Sequence, residues 1–369
     1  MSDDAALRIR AAAMAERFEA VGAVRDVRSY ATGHIHDSFV VSARSGRWLL
    51  QRMNTHVFAQ PERVMQNIAA VTTHLARALA REGTTGSERR VLRAAPIRGG
   101  GWLARDEEGG RWRAFAFIEH AVTHEIAATA ELAEVAAEAF GRFQRLLADY
   151  DGPPLYETIR GFHDTPARLQ ALDRAVAVDV SGRGRDAAAE IAFAGAAERR
   201  RMAGALVEAQ ARGALPRRIA HHDAKISNIL FDDDGGEALC VVDLDTTMPG
   251  LSLYDLGDLV RSMASSAAED DPDPARVVAE PGRVAAIVRG YLRGAGPLLD
   301  ADERAMIPVA ARVIAFEQGV RFLTDHLDGD RYYRCTRPGQ NLDRCRTQFA
   351  LLASLETQER MIARMVERP

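Results

Sequence analysis

The sequence predicts an α+β fold in two lobes, a small antiparallel-sheet lobe over residues 1–119 and a larger, mostly helical lobe over 120–369. Three observations predict it. The 369 residues exceed the roughly 250–300 at which a single hydrophobic core stops growing. Strand and turn signals crowd the first lobe, and long alanine-rich helical periodicities fill the second.

Residues 1–20 read as an amphipathic helix. Residues 28–41 (RSYATGHIHDSFVV) and 47–53 (RWLLQRM) carry aromatic and β-branched runs around turns at Gly33 and Ser45-Gly46, as antiparallel strands do. From Pro61, which suits a first helical position, Val64, Ile68, Val71 and Leu75 recur at helical spacing. Glycine turns at 99–101 and 109–110 bracket further strands, the last being 112–118 (WRAFAFI). Beyond His120, helices are expected near 130–148, 186–212, 283–293, 303–326 and 341–366, with exposed polar loops at 180–187 and 265–276. Between the helices lies a non-helical island, 219–254.

Hydrophobic residues at 47% and charged residues at 27% are ordinary globular proportions and exclude disordered, fibrous and membrane-spanning classes. The acidic start MSDDAALRIR lacks the features of a secretory signal and no long uncharged apolar run occurs, so the cytoplasm is the expected compartment. Cys240, Cys335 and Cys345 are few, odd in number and widely spaced, which indicates neither a disulfide framework nor a Cys-rich zinc site. With a net charge of -4 and no basic run, the chain has no field to gather nucleic acid or an anionic membrane, so the expected partner is a small molecule. The oligomeric state is not legible. Of 48 basic residues only Lys225 is a lysine.

The island holds two short apolar runs, 229–231 and 238–242, joined by an Asp/Gly turn, the pattern of a β-hairpin. His221, Asp223, Lys225 and Asn228 precede the first run, and Asp243 and Asp245 follow the second, so a hairpin brings both sets to one edge. Phosphoryl transfer needs this inventory: a carboxylate to accept a hydroxyl proton, amide and carboxylate oxygens for Mg²⁺, and a cation on the γ-phosphate. Asp223 and Asn228 have the spacing of a protein-kinase base and its metal-binding Asn, and Asp243 follows the β-run as a second metal carboxylate does. Either motif alone is commonly a solvated turn. Their combination points to Mg²⁺-dependent phosphorylation of a hydroxyl by a nucleoside triphosphate such as ATP.

On these residues the chain resembles the aminoglycoside phosphotransferase and choline kinase superfamily, whose fold is similar to that of protein kinases. The resemblance covers most of the chain. More narrowly, 32–39 (TGHIHDSF), 50–58 (LQRMNTHVF), 248–258 (MPGLSLYDLGD), 321–333 (RFLTDHLDGDRYY) and 339–349 (GQNLDRCRTQF) resemble the N-acetylhexosamine 1-kinase branch. The resemblance implies a protein-kinase-like fold and transfer of the γ-phosphate of Mg-ATP to the anomeric hydroxyl of an N-acetylhexosamine or related sugar. It further implies that His221 braces the catalytic loop, Asp223 is the base, Asn228 and Asp243 bind Mg²⁺, and Asp245 is a second metal ligand. Asp255 is implied to anchor the loop backbone, and Arg321 and Tyr332 to contact the sugar. His222 and Ala224 depart from the Gly and Thr expected around the base, which affects the surroundings of Asp223 rather than its chemistry. Lys225 stands where a kinase lysine reaches the transferring phosphoryl group, a place for a compact ammonium rather than a rigid guanidinium fork.

In the first lobe, Thr32-Gly33-His34-Ile35-His36 can fold over phosphates and offer backbone N–H groups, although a single glycine is also an ordinary hairpin turn. This lobe has no lysine to meet the α/β-phosphates. Period-2 alternation groups Trp48, Leu50 and Arg52 on one face and Leu49 and Gln51 on the other, so Arg52 is the candidate, with Leu50 packing on the base. A solvated edge arginine is the alternative. Glu62 favours the helix N-terminus, and Asn67, beside the helix stripe, can accept from Arg52 or be an exposed amide; the sequence does not decide between Arg52 and Gln51, or between Glu62 and Asn67. Glu119, in Phe117-Ile118-Glu119-His120, stands where a kinase hinge offers backbone groups to adenine.

Other acceptors in the superfamily are aminoglycosides, choline, homoserine and methylthioribose. A cationic substrate requires an acidic pocket, whereas Arg321, Arg331, Arg334 and Tyr332 favour a neutral or anionic polyol. A two-metal hydrolase built from His221, His222, Asp223, Asp243 and Asp245 leaves Lys225 and Asn228 without a role.

Overall fold

A computed structural model describes residues 3–30, 35–233 and 236–367. The fold is mixed α+β, with an antiparallel sheet in the N-terminal part and helices in the C-terminal part. The chain forms two compact units. One takes the described residues up to Val122 with Asp149–Ile159 and Leu239–Met248, and the other takes Thr123–Ala148, Arg160–Ala238 and the chain from Pro249 onward. A single cut at 119 does not describe this division: the loop with Asp243 and Asp245 belongs to the sheet unit, and the loop with Asp223 to the helical unit.

In the sheet unit, α1 (Asp3–Ala15) leads to β1 (Val24–Ser29), β2 (Asp37–Ala43) and β3 (Gly46–Arg52). Helix α2 (Pro61–Arg81), β4 (Ala104–Arg105), β5 (Arg111–Ala116) and β6 (Ala121–Val122) follow. The main sheet has the antiparallel order β1-β2-β3-β5-β4. Its register sets Phe39 opposite Leu50 and Leu50 opposite Ala114 on one face, and Ser38 opposite Gln51 and Gln51 opposite Arg113 on the other. Ala11 and Ala15 of α1 close over the first face and bury Phe39, Val41, Leu50 and Trp112 with it. The second face looks to α2, where Arg113 reaches the Met65 sulfur at 3.9 Å. Helix α1 ends earlier than predicted because the following turn lets Phe18 bridge to Ile97 and enter the core.

The helical unit contains α3 (Ala130–Leu146), α4 (Thr165–Val178), α5 (Ala188–Gly195), α6 (Ala197–Ala211), β7 (Arg218–Ala220) and β8 (Ile229–Asp232). Beyond β9 (Ala238–Val241) and β10 (Met248–Gly250) come α7 (Ser252–Met263), α8 (Pro281–Ala295), α9 (Ala301–Ala305), α10 (Ile307–Leu327), α11 (Gln340–Thr357) and α12 (Glu359–Glu367). Helix α10 is apolar on most sides and packs against α4, α6, α7 and α11, which explains its weak amphipathic pattern. Helices α3 and α8 approach so closely that a Cβ on Gly290 or Gly294 would strike the α3 backbone. The Asp232 N–H donates to the Glu237 carbonyl at 2.8 Å and closes the turn between β8 and β9.

Two helices were not anticipated. Helix α4 has a local signal, Asp164 capping the Ala167 N–H at 3.0 Å with Pro166 in the first turn. Helix α7 begins inside the island, and its buried Asp255 and Asp258 interrupt the apolar stripe. The expected helices 186–212 and 341–366 are each broken, at Ala196 and Gln358. No helix among the described residues is long and apolar enough to cross a membrane.

Candidate active site

In the helical unit the segment after β7 is pinned by α7. Buried Asp255, in the first turn of α7, accepts the His221 N–H on Oδ2 at 2.8 Å and the His222 N–H on Oδ1 at 2.7 Å. Gln144 of α3 donates to the same carboxylate and takes the Tyr291 hydroxyl on its own carbonyl. Burial pushes the Asp255 carboxyl up, although His221 and the amide donors draw it back. His222, where a glycine was expected, has a left-handed backbone with φ 67°. A non-glycine residue there is strained by about 1–3 kcal/mol. Its ring stacks on His163 with centroids 5.3 Å apart and sits where a Cβ on Gly250 would collide with it.

Asp223 follows. Its N–H donates to His221 Nδ1 at 3.3 Å, and the His221 ring is held edge-on by Phe140 at 5.2 Å and Phe143 at 5.9 Å. A single turn, Ile226–Asn228, brings three sequence-predicted groups together. Asp223 Oδ2 lies 3.0 Å from Lys225 Nζ and 3.0 Å from Asn228 Nδ2, which also donates to the Asp223 carbonyl at 2.9 Å. Burial pushes the Asp223 carboxyl up, but Lys225, then His221, and the hydrogen bonds from Lys225 and Asn228 outweigh it and hold the pKa down at about 2. With its amide nitrogen turned to Asp223, Asn228 has its carbonyl oxygen to offer a cation.

Arg321, on α10, lies over the rings of Phe162 at 4.8 Å, Tyr333 at 5.7 Å and Tyr332 at 6.0 Å, and donates to Gln318 at 3.0 Å. Burial draws its guanidinium down, but Tyr333, Tyr332, Glu317 and Asp223 lift it further, so it stays charged. Tyr332 is 55% exposed. Its loop is organised by Asp325, which sequence reasoning missed: the carboxylate accepts the N–H groups of Arg331, Tyr332 and Tyr333 at 2.9, 2.7 and 2.9 Å. Also missed were His163 and Glu317, whose side chains meet beneath His222.

The sheet unit holds the other candidates. Gly33 and His34 lie outside the described residues. Arg52 does not face α2. It shares the α1-covered face with buried Leu50 and Trp112, 3.9 Å from Asp37 and 3.8 Å from Glu108. Trp48, Leu50 and Arg52 do share one face of β3, but that face is the core under α1, so Leu50 is unavailable to a base. Asn67 does not accept from Arg52 either, since it bonds Tyr156 in both directions and donates to the Thr247 carbonyl at 3.1 Å. Glu62 lies in the first turn of α2, as expected, and accepts from Arg111 at 3.1 Å. The Glu119 carboxylate takes Arg47 at 2.9 Å, and its carbonyl accepts from Arg89 at 3.1 Å.

Asp243 is exposed and left-handed, φ 58°, and opens the turn Leu244–Thr246. Asp245 does not match the expected metal ligand, because both of its oxygens are engaged by Arg113 and His36. No three His, Cys, Asp or Glu side chains among the described residues form a metal-binding group. Asn228 in the helical unit and Asp243 in the sheet unit each carry a side-chain oxygen of the hard kind that Mg²⁺ takes, alongside phosphates and water.

A profile of the Phosphotransferase enzyme family matches residues 26–306. A microcompartment-associated aminopropanol kinase superposes with TM-score 0.61 at 15% identity, covering 96% of this chain and 98% of that one. A spectinomycin phosphotransferase, solved with ADP and spectinomycin, gives 0.54 at 10% identity over 95% and 98% of the two chains. A choline/ethanolamine kinase family protein from Mesorhizobium loti gives 0.53 at 17% identity over 100% of both. At these identities the likeness is one of fold.

Proposed function

The chain belongs to the phosphotransferase enzyme family and is a small-molecule phosphotransferase; from that premise we propose that it transfers the γ-phosphate of Mg-ATP to the anomeric hydroxyl of an N-acetylhexosamine or related sugar. The observation that carries the reading is Asp223 itself, with Lys225 and Asn228 both at 3.0 Å on one carboxylate oxygen. Oδ1 takes the proton of the attacking hydroxyl, and Lys225 stands beside the oxygen that faces the incoming phosphoryl group. Asn228 and Asp243 are the residues that would hold Mg²⁺, which would supply neutralisation of the phosphate charge.

The sugar assignment draws on the five stretches that resemble N-acetylhexosamine 1-kinases and on Arg321 with Tyr332. A charged guanidinium beside an exposed aromatic ring suits hydroxyl and acyl oxygens and opposes an amine. The hydrolase reading is weaker, since His221 is turned to Asp223 and two Phe rings and Asp245 to Arg113.

A panel of N-acetylhexosamines, other sugars, choline, aminopropanol and spectinomycin tests the proposal by ATP consumption. The expected outcome is preferred turnover of an N-acetylhexosamine to a non-reducing 1-phosphate, and none of its 1-O-methyl glycoside. Preferred turnover of an amine, or phosphorylation of the methyl glycoside, overturns it.

A further inference from the structure

Asp245 has an occupation in the sheet unit that a metal ligand does not have. Arg113 of β5, itself buried, grips both of its oxygens, with Nη2 at 3.0 Å from Oδ2 and Nη1 on Oδ1, and donates through Nε to Gln51 at 3.0 Å. His36, just before β2, places Nε2 at 2.5 Å from the same Oδ2. The His36 tautomer follows from its other nitrogen: Nδ1 accepts the Asn54 N–H at 3.0 Å, so Nε2 carries the proton and donates.

The turn that carries Asp245 is therefore clamped from several elements at once. Arg113 holds it from β5, His36 from the start of β2, and Asn67 of α2 from the Thr247 carbonyl at 3.1 Å. Immediately before the turn stands Asp243, in a left-handed conformation that a non-glycine residue keeps only when its surroundings impose it. An Mg²⁺ on Asp245 would have to displace a bidentate guanidinium and would sit against its positive charge.

We propose that Asp245 is a positioning residue rather than a metal ligand: with Arg113 and His36 it fixes the turn that presents Asp243 to the nucleotide-bound Mg²⁺. The inference rests on the reading of Asp243 as an Mg²⁺ ligand of an ATP site. It gives Arg113 the orienting task that a strand lysine and helix glutamate share in protein kinases, and it explains why a sheet without lysine still has an organised inner face.

The two roles of Asp245 make opposite forecasts for Arg113. If Asp245 bound the metal, removing Arg113 would free a ligand and leave Mg²⁺ affinity equal or tighter. If the pair positions Asp243, losing either partner loosens the metal site, and such supporting contacts are typically worth about 10–100-fold in metal affinity. The experiment is calorimetric binding of a non-hydrolysable ATP analogue to the full chain, with and without Mg²⁺, for wild type, Asp245→Asn, Arg113→Met and Arg113→Lys. Arg113→Lys keeps the charge but cannot fork across both oxygens, and it carries the test if thermal unfolding shows Arg113→Met to be misfolded. The expected result is a loss of about tenfold or more in Mg²⁺-dependent affinity in the Asp245 and Arg113 variants alike, with metal-free affinity nearly unchanged. Wild-type or tighter Mg²⁺-dependent affinity in the folded Arg113 variants overturns the proposal, whatever Asp245→Asn does. Failure of the ATP-site reading has a different signature, namely no Mg²⁺-dependent binding by the wild type.

Discussion

Glu317 and His163 meet at 2.7 Å inside the helical unit although 154 positions separate them in the sequence. The second Glu317 oxygen takes the Thr165 hydroxyl at 2.6 Å, and the far nitrogen of His163 faces the His222 carbonyl at 3.3 Å. The left-handed residue before Asp223 is thus braced on its N–H by Asp255 and on its carbonyl by His163. Glu317→Gln keeps the shape of this brace without its charge. Turnover should fall about tenfold or more, since a ~1 Å misplacement of a catalytic group can cost about 10²-fold. The KM for nucleotide should hold, and steady-state kinetics in both substrates checks it. Parallel rises in both KM values would mean general loosening instead.

Glu317→Ala goes further and leaves a buried imidazole without its acceptor. Breaking a buried pair by removing one partner typically costs about 3–5 kcal/mol. Denaturant unfolding should show a loss of that order, and a change within experimental error would mean that the pair is not closed in solution.

After burial, which acts upward, Lys225 is the largest influence on the Asp223 carboxyl, and it acts downward. The folded value of about 2 lies below the ordinary 3.8. Ionised Asp223 therefore contributes stability that is fully present above pH 3.8 and is lost as pH falls through about 2. In the wild type Asp223 should place no acid limb in the pH–rate profile above about pH 4. Lys225→Met removes the downward influence, so the carboxyl should titrate higher and an acid limb should appear or shift upward. A profile with the wild-type acid side in that variant would show that Lys225 does not face the base.

The cluster around Asp223 is legible in the sequence because it is local. Asp223, Lys225 and Asn228 lie within six positions, so their spacing already groups them, and the structure sets Lys225 and Asn228 on one Asp223 oxygen. Partners brought together by the fold leave no such trace: nothing around Arg113 announces a carboxylate 132 positions later. The strand β3 shows the intermediate case. Alternation states that Leu50 and Arg52 share a face, but only the cover supplied by α1 makes that face the core and leaves Gln51 and Arg113 opposite α2. Helix α7 is hidden in the sequence because Asp255 and Asp258 occupy inward positions, Asp255 to accept the His221 and His222 N–H groups and Asp258 to bond Arg261 at 2.6 Å.

Asp325 should behave as the organiser of the Tyr332 loop. Three consecutive N–H groups and the Asn341 amide converge on its carboxylate. Hydrogen bonds to a charged group are worth about 1.5–3 kcal/mol each, so Asp325→Ala should release the loop before it unfolds the unit. The acceptor-substrate KM should rise about tenfold or more with little change for nucleotide, the pattern of lost ground-state binding. Tyr332→Ala and Arg321→Ala should share that pattern if these residues meet the sugar. Equal effects on both substrates would assign the loop a structural role only.

Lys225→Arg is the most discriminating substitution, because it preserves charge and alters only shape. The Lys225 ammonium lies 3.0 Å from Asp223 Oδ2, an oxygen it shares with Asn228 Nδ2, and the arrangement leaves Oδ1 to the hydroxyl. A guanidinium prefers to meet a carboxylate with two parallel N–H groups, one to each oxygen. Placed at 225 it would compete for Oδ1 and displace the Asn228 amide, whereas the Asp223 charge would remain well stabilised. The low titration of Asp223 and the pH profile should therefore survive in Lys225→Arg while kcat falls about 10²-fold or more, within the range of about 10²–10⁴ that a positioned base supplies. Either KM should change less than kcat. Lys225→Met should differ by moving the acid limb, so the two variants separate the charge of the lysine from its shape. An arginine variant with unchanged kcat would show that the one lysine among 48 basic residues is an accident of composition.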